Sequence, residues 1–346
     1  MGWLRKNLFS TPLNALLTVL SLALLWLALP PLIDWALIEA TWTGTSRRDC
    51  NPHGACWVFI EARLGGFVYG FYPEAQRWRV DVALAVGVVL AALLFVPRVP
   101  RKGWIAAALV VAYPPFAYAM LAGGIFGLPV VETSRWGGLM LTLVVATVGM
   151  AGSLPIGILL ALGRQSSMPV IRWLSIAFIE LWRGVPLITV LFMASVMLPL
   201  FLPGAADTNK LARALIGVTI FSGAYMAEVI RGGLQAVPRG QYEAAAALGL
   251  GYWKTMLLVV MPQALRLVVP GIVNTFIALL KDTTLVLIIG LLDILGMIQA
   301  ALSDPNWLGL AAEGYVFAAA VFWVMCFGLS RLSLGIEARI NADRRR

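Results

Sequence analysis

Long stretches without a charged residue constrain this chain more than any other feature. A helix needs about 20 mostly apolar residues to cross the ~30 Å hydrocarbon layer of a bilayer. Uncharged stretches of about this length or longer occupy residues 7–33, 82–97, 103–131, 136–163 and 184–206. Three more apolar stretches contain or adjoin charged residues, at 211–230, 267–292 and 314–330. We therefore predict an all-α fold: a polytopic membrane helical bundle with about eight transmembrane helices.

The composition supports a membrane protein and excludes several other classes. Apolar residues make up 60% of the 346 residues and charged residues 12%, whereas soluble domains average about 45–50% and 25%. The formal charge of +9 is compatible with nucleic-acid binding. However, the basic residues lie between apolar stretches, and a nucleic-acid interface needs a soluble scaffold to display them. We therefore expect membrane lipid as surroundings and no nucleic-acid partner.

The distribution of basic residues predicts the orientation in the membrane. Loops on the cytoplasmic side of a membrane protein are enriched in Lys and Arg. If the N-terminus is in the cytoplasm, most of the 26 Lys and Arg residues fall in the loops that would face the cytoplasm. Five of the basic residues that would lie outside are in one long loop, about 39–80, and in long loops the charge rule is weak. Residues 1–33 lack the small-residue cleavage site of a signal peptide and are interpreted as a membrane helix that is retained. The prediction is a multi-pass protein with both termini in the cytoplasm.

Catalytic and nucleotide-binding motifs are absent from the sequence. No Gly-Lys dipeptide occurs, so the phosphate-binding loop G-x-x-x-x-G-K-[ST] is missing. His53 is the single histidine, which excludes a Ser-His-Asp triad or a histidine relay inside the membrane. We expect a chain that is not an enzyme and holds no cofactor or metal of its own. Any nucleotide-driven transport would require another chain to hydrolyse the nucleotide.

Two cysteines flank a short turn in the long outer loop. Cys50 and Cys56 enclose Asn-Pro-His-Gly-Ala, and an oxidising periplasm would favour a disulfide between them. The alternative is a metal site on Cys50, His53 and Cys56, which lacks an evident fourth ligand.

A helix-forming segment follows the sixth predicted span. Gln-Tyr-Glu-Ala-Ala-Ala-Ala-Leu-Gly starts at Gln241, and its strong helix formers predict a short helix over 242–248 on the inner membrane face. Gly249 can adopt positive φ and end that helix, and Pro262 would separate the next apolar piece from the following span. Four consecutive alanines suit insertion into a groove of another protein. An interfacial helix without a partner is the alternative.

The spacing of this segment matches a known motif. The segment consists of Glu243-Ala244-Ala245, three residues, Gly249, nine residues, Val259, one residue and Met261-Pro262. This pattern resembles the E-A-A-x3-G-x9-I-x-L-P loop of ABC importer permeases. Val259 and Met261 replace the usual Ile and Leu. The resemblance implies that the loop contacts a separate ATPase, and it assigns this coupling to Glu243, Ala244, Ala245, Gly249 and Pro262.

Three further segments are similar to the polar amino acid uptake branch of these permeases. They begin at Glu180 (Glu-Leu-Trp-Arg-Gly-Val-Pro-Leu), at Ser222 (Ser-Gly-Ala-Tyr-Met-Ala-Glu-Val-Ile-Arg-Gly-Gly) and at Leu280 (Leu-Lys-Asp-Thr-Thr-Leu). The last resembles a K-D-T-S-L segment, with Thr284 at the Ser position. The added N-terminal spans and the cysteine-bearing loop resemble the M-type permease subunit of the general L-amino acid transport system.

The resemblance implies a division of the chain and a set of partners. Residues 1–130 would form a three-span extension with the periplasmic loop, and 131–346 a five-helix type I ABC importer permease core with a coupling loop at about 231–264. Partners would be a second permease subunit, two ATPase subunits holding ATP and Mg, and a periplasmic amino-acid-binding protein. The substrate would be a small L-amino acid, and the location a bacterial inner membrane. The alternative function is an autonomous secondary transporter or channel driven by an ion gradient.

Charged residues inside a predicted span are candidates for substrate contact. Lys281 lies 15 residues after Arg266, about 22 Å along a helix and past the midplane toward the outside. A charge there costs about 2.5–3.5 kcal/mol, so such residues usually face the bundle interior or a water-filled cavity. Lys281, Asp282, Thr283 and Thr284 are therefore candidates for the substrate pathway. Snorkelling of Lys281 to the interface or an intersubunit ion pair is the alternative.

Two pairs of opposite charges have helical spacing. Glu180 and Arg183, and likewise Glu228 and Arg231, are three residues apart near predicted cytoplasmic helix ends. We predict structural ion pairs within each helix; a role in positioning the coupling loop is the alternative.

Overall fold

The computed structural model describes residues 2–96, 99–125, 127–201 and 209–344, and it contains no β-strand among them. After a short helix at Gly2–Asn7, the first helices are α1 (Pro12–Ile38), α2 (Val58–Tyr69), α3 (Glu74–Phe95) and α4 (Lys102–Ala122). The central helices are α5 (Gly138–Arg164), α6 (Pro169–Gly184), α7 (Leu187–Phe201), α8 (Lys210–Ala236) and α9 (Arg239–Ala247). The last helices are α10 (252–267), α11 (Val269–Ile289), α12 (Ile294–Leu302) and α13 (Ala311–Arg344).

The predicted number of membrane spans is confirmed. Seven helices of the described residues are long and apolar enough to cross a membrane, and α6 with α7 makes an eighth if this bent pair is one span. The pair bends by 101° between Gly184 and Leu187, where Val185 has extended backbone before Pro186. Proline disfavours helical backbone in the preceding residue. The predicted span 184–206 ends at residues outside the described part.

Packing divides the chain into two compact units. The first contains the chain up to Leu64 together with Ile298–Phe317, and the second contains Gly65–Met297 and the chain from Ala318 onward. This division by packing does not follow the boundary predicted after residue 130. The extension predicted as one domain contributes to both units, because Val80 and Ala83 of α3 and Leu121 of α4 belong to the same hydrophobic cluster as Leu141 and Val145 of α5.

In the first unit, the loop after α1 is tied to the start of α13. Glu313, which is buried, accepts a hydrogen bond from the Cys56 backbone N–H at 3.1 Å. Arg63 forms an ion pair with Asp304, and the Phe59 ring lies 5.6 Å from that of Trp307. A buried carboxylate, an ion pair and an aromatic contact thus join segments about 250 residues apart in sequence.

A disulfide closes the turn in this loop. Cys50 and Cys56 are bonded, with their Cα atoms 5.4 Å apart, so both thiols that the alternative metal site with His53 would require are consumed. Gly54 inside the ring lies so close to the Glu39 carbonyl that a Cβ at this position would overlap it. The ring is therefore packed directly against the end of α1.

In the second unit, a buried arginine joins α3 to the end of α4. Arg79 is fully buried, and its guanidinium donates to the carbonyls of Met120 at 2.5 Å and Pro129 at 3.0 Å. The Tyr72 hydroxyl donates to the Leu121 carbonyl at 2.8 Å. Carbonyls at a helix C-terminus lack partners within the helix, and these side chains supply them. These bonds hold α3 against the end of α4.

The closest helix pair of the second unit is α5 with α8, and glycines line their contact. A Cβ at Gly157 would lie 2.6 Å from Met226 Cγ, one at Gly152 2.5 Å from Thr219 Cγ2, and one at Gly223 2.6 Å from Ile156 Cγ2. Membrane helices gain little from burying apolar surface against each other, because lipid is equally apolar. Small residues let the helices approach closely, so that van der Waals packing stabilises their contact. These glycines therefore set the distance between the two helices.

A buried carboxylate begins α12 in the second unit. Asp293 is fully buried, and its Oδ1 accepts the Gly296 N–H at 2.9 Å. The neighbouring Ile294 N–H donates to Thr142 Oγ1 at 3.2 Å, so the start of α12 is fixed against α5. Burial raises the pKa of Asp293 to about 6. In the sequence, the only local indication of a role for Asp293 is its position directly before an apolar helix, where Asp is a common N-cap.

The glycine contact between α5 and α8 generates a prediction. Gly157→Ala should lower the melting temperature of the purified protein, because overpacking costs about 1–3 kcal/mol and exceeds the ~0.5–1 kcal/mol that alanine gains in a helix. Gly232→Ala on α8, where a Cβ meets open space, is the matched control and should not lower it. Equal melting temperatures for both variants would contradict the close contact.

The buried carboxylate generates a second prediction. Because folding raises the pKa of Asp293 from 3.8 to about 6, the folded protein binds more protons than the unfolded chain between these values. Stability should therefore fall as pH rises from about 4 to 6, by at most ~1.4 kcal/mol per pH unit from this group, and stay level above. Asp293→Asn, which retains a capping acceptor, should reduce this slope in melting curves, whereas the exposed Glu74→Gln should not.

Candidate functional site

The helix predicted over 242–248 is present as α9. It runs from Arg239 to Ala247, so it begins three residues earlier than predicted. Pro238 is its N-cap with backbone outside the helical region, and its carbonyl accepts the Gln241 N–H at 3.0 Å. Only Val237 and Pro238 separate α9 from α8, so the two helices are joined by a very short connection.

Gly249 ends α9 in the way its sequence position predicts. Its φ is +71°, its N–H donates to the Ala246 carbonyl at 2.9 Å, and the Leu250 N–H donates to the Ala245 carbonyl at 3.0 Å. This pair of bonds is the Schellman motif, which requires a left-handed residue and so favours glycine. The chain then turns back toward α10.

α9 has one face packed on the protein and one face exposed. Ala245 is 2% exposed, and the Tyr242 hydroxyl donates to the Leu234 carbonyl at 3.4 Å. Partial burial raises the pKa of Tyr242. The exposed residues of α9 are Arg239, Gly240, Gln241, Glu243, Ala244, Ala246 and Ala247, and Leu248 just after the helix is exposed as well. Of the residues assigned to ATPase coupling, Ala245 thus faces the protein and holds α9 in place, since helical residues adjacent in sequence point about 100° apart.

The segment after Gly249 is one helix, α10, rather than a piece that ends at Pro262. It contains a π-helical turn at Thr255–Val260 and continues through Met261–Leu267. Pro262 occupies the first turn after the π-helical turn, where its missing N–H is tolerated. The break before α11 lies at Val268 instead, with Pro270 in the first turn of α11. Gln263 links α10 to α9 through Gln241, with Nε2 3.0 Å from Oε1.

A charge cluster connects three helices near α9. Arg164 at the end of α5 contacts Glu180 on α6 at 3.0 Å and Glu228 on α8 at 2.8 Å. Arg231 contacts Glu228 at 2.7 Å, which is the geometry predicted for that pair. Glu180 does not pair with Arg183 as predicted; Arg164 reaches it from the neighbouring helix, and Arg183 lies over the Tyr225 ring at 5.4 Å. Sequence spacing within one helix could not reveal the contribution of Arg164.

The four candidates for the substrate pathway differ in exposure. Lys281 is exposed, and Asp282 and Thr284 are partly buried. Thr283 is 1% exposed, and its hydroxyl donates to the Leu280 carbonyl at 2.7 Å. We therefore remove Thr283 from the candidates, because its side chain is inside the packing. Neither Lys281 nor Asp282 forms an ion pair within the described part of the chain.

Lys281 lies nearer the centre of its span than the sequence indicated. Val269–Asp282 is α-helical and Thr283–Ile289 is a 3-10 helix, which together make a span about 35 Å long. Lys281 is within one turn of its midpoint. A charged side chain at this depth costs about 2.5–3.5 kcal/mol if lipid surrounds it. This position favours a polar environment around Lys281 over snorkelling.

Comparison with known proteins identifies the family. The family described as "Binding-protein-dependent transport system inner membrane component" matches residues 153–342, a range that contains α9, the charge cluster and Lys281. The chain belongs to this family. The resemblance to ABC importer permeases is thereby confirmed, and membership does not favour an autonomous secondary transporter.

Two relatives match nearly the whole chain. It is 57% identical over 344 residues to the inner membrane amino-acid ABC transporter permease protein YhdY of Escherichia coli K12, covering 99% of this chain and 94% of the relative. It is 39% identical over 410 residues to BztC of Rhodobacter capsulatus, a glutamate/glutamine/aspartate/asparagine transport system permease protein, with the same coverage. Both similarities include the N-terminal spans as well as the family region.

A solved structure matches a smaller part. A chain from the crystal structure of an amino acid ABC transporter with histidines is 31% identical, with a TM-score of 0.52, covering 58% of this chain and 92% of that chain. Nearly all of that shorter chain thus corresponds to little more than half of this family member. The predicted type I permease fold is confirmed by the family and by this match.

The end of α9 generates a prediction. Gly249→Ala should destabilise the turn by about 1–2 kcal/mol, because an L-residue with a Cβ is strained at φ +71°. Gly251→Ala is the matched control, since Gly251 has φ −67° and open space at its Cβ position. Limited proteolysis in detergent should cleave the 247–252 turn faster in Gly249→Ala than in Gly251→Ala. Identical cleavage rates would contradict the role of Gly249.

Proposed function

We propose that this chain is a permease subunit of an ABC importer for L-amino acids, forming half of the pathway and coupling it to a separate ATPase through α9. The family and the named functions of its relatives support this proposal. The single observation that carries it within the structure is a short helix with one face packed on α8 and α10 and an exposed side that carries three alanines, Ala244, Ala246 and Ala247. That exposed face is where we place the ATPase.

The exposed face of α9 has the shape that a groove on another protein would accept. Ala244, Ala246 and Ala247 present little more than backbone, so a partner can approach closely. Leu248 is 80% exposed, and a large apolar side chain in this position provides a hydrophobic anchor. Glu243 and Arg239, both exposed, add one charge of each sign for the partner to pair with.

The connections of α9 suit the transmission of force. A two-residue connection joins α9 to α8, and α8 packs closely on α5 along the glycine contact. The Arg164 cluster ties the ends of α5 and α8 to α6. A displacement of α9 would therefore move these helices together, as in a rigid-body switch between two packings.

The proposal assigns nucleotide chemistry to partner chains. ATP and Mg would be bound by two ATPase subunits, and this chain would contribute the surface that receives their movement. A second permease subunit would form the other half of the pathway, and a periplasmic amino-acid-binding protein would deliver the substrate. This arrangement places α9 and both termini in the cytoplasm of a bacterial cell and the disulfide loop outside.

The proposal also retains a functional division that differs from the packing units. Residues 131–346 would form the permease core and 1–130 an extension. The family region 153–342 lies within this core, and a shorter solved chain matches only 58% of this chain while 92% of it is covered, which supports the division. The full-length similarity to YhdY and BztC supports an extension typical of one group of amino-acid permeases, as expected for the M-type subunit.

Substitutions on the exposed face of α9 test the proposal. Glu243→Lys and Ala246→Trp should leave the folded protein in the membrane but reduce co-purification of the ATPase subunits by about tenfold or more, the effect of losing ~1.4 kcal/mol of binding. ATP-dependent amino acid uptake by reconstituted complexes should fall in parallel. Both side chains are exposed, so neither change disturbs the core.

A matched control separates docking from a general charge effect. Gln235→Lys adds a positive charge at an exposed position near the end of α8, just outside α9, and should leave ATPase binding and uptake unchanged. Normal uptake by Glu243→Lys and Ala246→Trp would disprove the coupling role. Uptake by the purified single chain in liposomes without ATP would disprove the proposed function as a whole.

A further inference from the structure

Helix α6 crosses the end of α5 and does not run back along it. Glu180 on α6 is paired with Arg164, the last residue of α5, at 3.0 Å. A Cβ at Gly163 would overlap Ser175 Oγ and would lie 3.6 Å from Ile171 Cγ2. The segment from Ile171 to Glu180, about 13 Å of helix, therefore stays close to the last two residues of α5. A helix that returned along α5 would meet it more than two turns before its end.

The bend after α6 agrees with this orientation. α7 packs on the span α8, since Val190 and Ala194, one turn apart on α7, each have an atom 3.6 Å from the Cβ position of Gly217 on α8. α6 and α7 enclose an angle of 101°, so α6 is nearly perpendicular to a helix that runs with the spans. α7 then begins the span predicted over 184–206, and α6 lies along the membrane surface before it.

The side of α6 that no other helix covers is apolar. The side toward the protein carries Ser175 and Ile179, which are buried. An exposed row on another side consists of Val170, Leu174, Ala177 and Leu181. Separations of four, three and four residues place these side chains along one stripe of a helix, which we name the α6 apolar row. Its three large side chains are 54–69% exposed.

Charged side chains occupy a further side of α6. Arg172, Glu180 and Arg183 are exposed, and separations of eight and three residues place them together. The Glu180 carboxylate is already paired with Arg164. Arg172 makes no ion pair within the described part of the chain; its Nε donates to the Ser166 carbonyl at 2.8 Å. This side therefore carries a net positive charge.

We propose that α6 is an interfacial helix that inserts its apolar row into the headgroup–acyl boundary of the inner leaflet and binds anionic phospholipid through Arg172. The choice of leaflet rests on the proposed function, whose orientation puts the end of α5 at the cytoplasmic surface. A helix with large apolar residues on one side and basic residues on another lies in the plane of the interface. Trp173, 67% exposed beside the row, is a residue type enriched at this depth.

Lipid bound to α6 acts on the charge cluster near α9. Glu180 on α6 and Glu228 on α8 share Arg164, so a helix held in the membrane surface fixes one corner of this cluster. The continuity of α6 with two spans and its net positive charge fit the surface of an anionic bilayer. The α6 apolar row thus differs from the exposed side of α9, which carries alanines and receives a protein.

Fluorescence quenching measures the depth of the α6 apolar row. In a Cys326→Ala background, with Cys50 and Cys56 held in their disulfide, Leu174→Cys and Leu181→Cys each carry a fluorescent label in nanodiscs holding the complete importer. Lipid nitroxides near the headgroup should quench both labels more strongly than nitroxides at the end of the acyl chain, because an interfacial helix is buried only about 5–10 Å deep.

Two control positions calibrate this measurement. Val88→Cys near the middle of α3, at a side chain that is 58% exposed, should show the opposite order of quenching. Gln235→Cys, exposed near the end of α8, should resist both nitroxides. If the α6 labels behave like the Val88 label, α6 is inside the hydrocarbon layer; if they behave like the Gln235 label, protein or water covers the row. Either result would overturn the proposal.

Brominated lipids test the preference for anionic phospholipid. Quenching of the Leu174 label by brominated phosphatidylglycerol should indicate an affinity about fivefold higher than that of brominated phosphatidylcholine, the effect of one basic residue near an anionic membrane surface. Arg172→Gln should reduce this preference toward equality, and Arg172→Lys, which retains the charge, should preserve it. Equal affinities with Arg172 in place, or an unchanged preference in Arg172→Gln, would disprove the binding of anionic lipid by Arg172.

The outcomes separate this inference from the proposed function, because the quenching measurements need neither ATP nor substrate. Normal ATP-dependent uptake by a complex whose α6 labels are deep or unquenched would contradict the interfacial helix alone. Shallow α6 labels in a complex that takes up no amino acid with ATP would contradict the proposed function alone.

Discussion

The close contact between α5 and α8 is the interaction on which the second packing unit depends. Lipid is as apolar as leucine, so membrane helices gain little from burying apolar surface against each other and rely on close packing. Gly152, Gly157 and Gly223 leave no room for a Cβ in this contact. Because α9 follows α8 after two residues, it is attached to this helix pair by a very short connection.

Polar groups inside the apolar surroundings fall into two sets. Arg79 donates to two carbonyls, Asp293 caps α12, and Arg164 joins two carboxylates. These groups have partners within the chain and hold helices together. Lys281 and Asp282 form the second set, since neither makes an ion pair within the described part of the chain.

The first packing unit shows a second way to stabilise a membrane protein. Its contacts include a disulfide, a buried Glu313 bonded to backbone and an Arg63–Asp304 ion pair. They connect the loop after α1 with the segment before and at the start of α13. Residues from opposite ends of the chain thereby form one compact unit. A domain boundary drawn from the order of spans does not capture this packing.

The sequence by itself determined the helical class, the number of spans, the position of α9 and its glycine stop. These features follow from the length of apolar stretches and from local backbone preferences, which neighbouring residues decide. Only the tertiary structure decided that Arg164 rather than Arg183 pairs with Glu180, that Ala245 and Thr283 are buried, and that one apolar side of α6 remains uncovered. These outcomes depend on which helices meet and on which side of each helix remains uncovered, and residues distant in sequence control both.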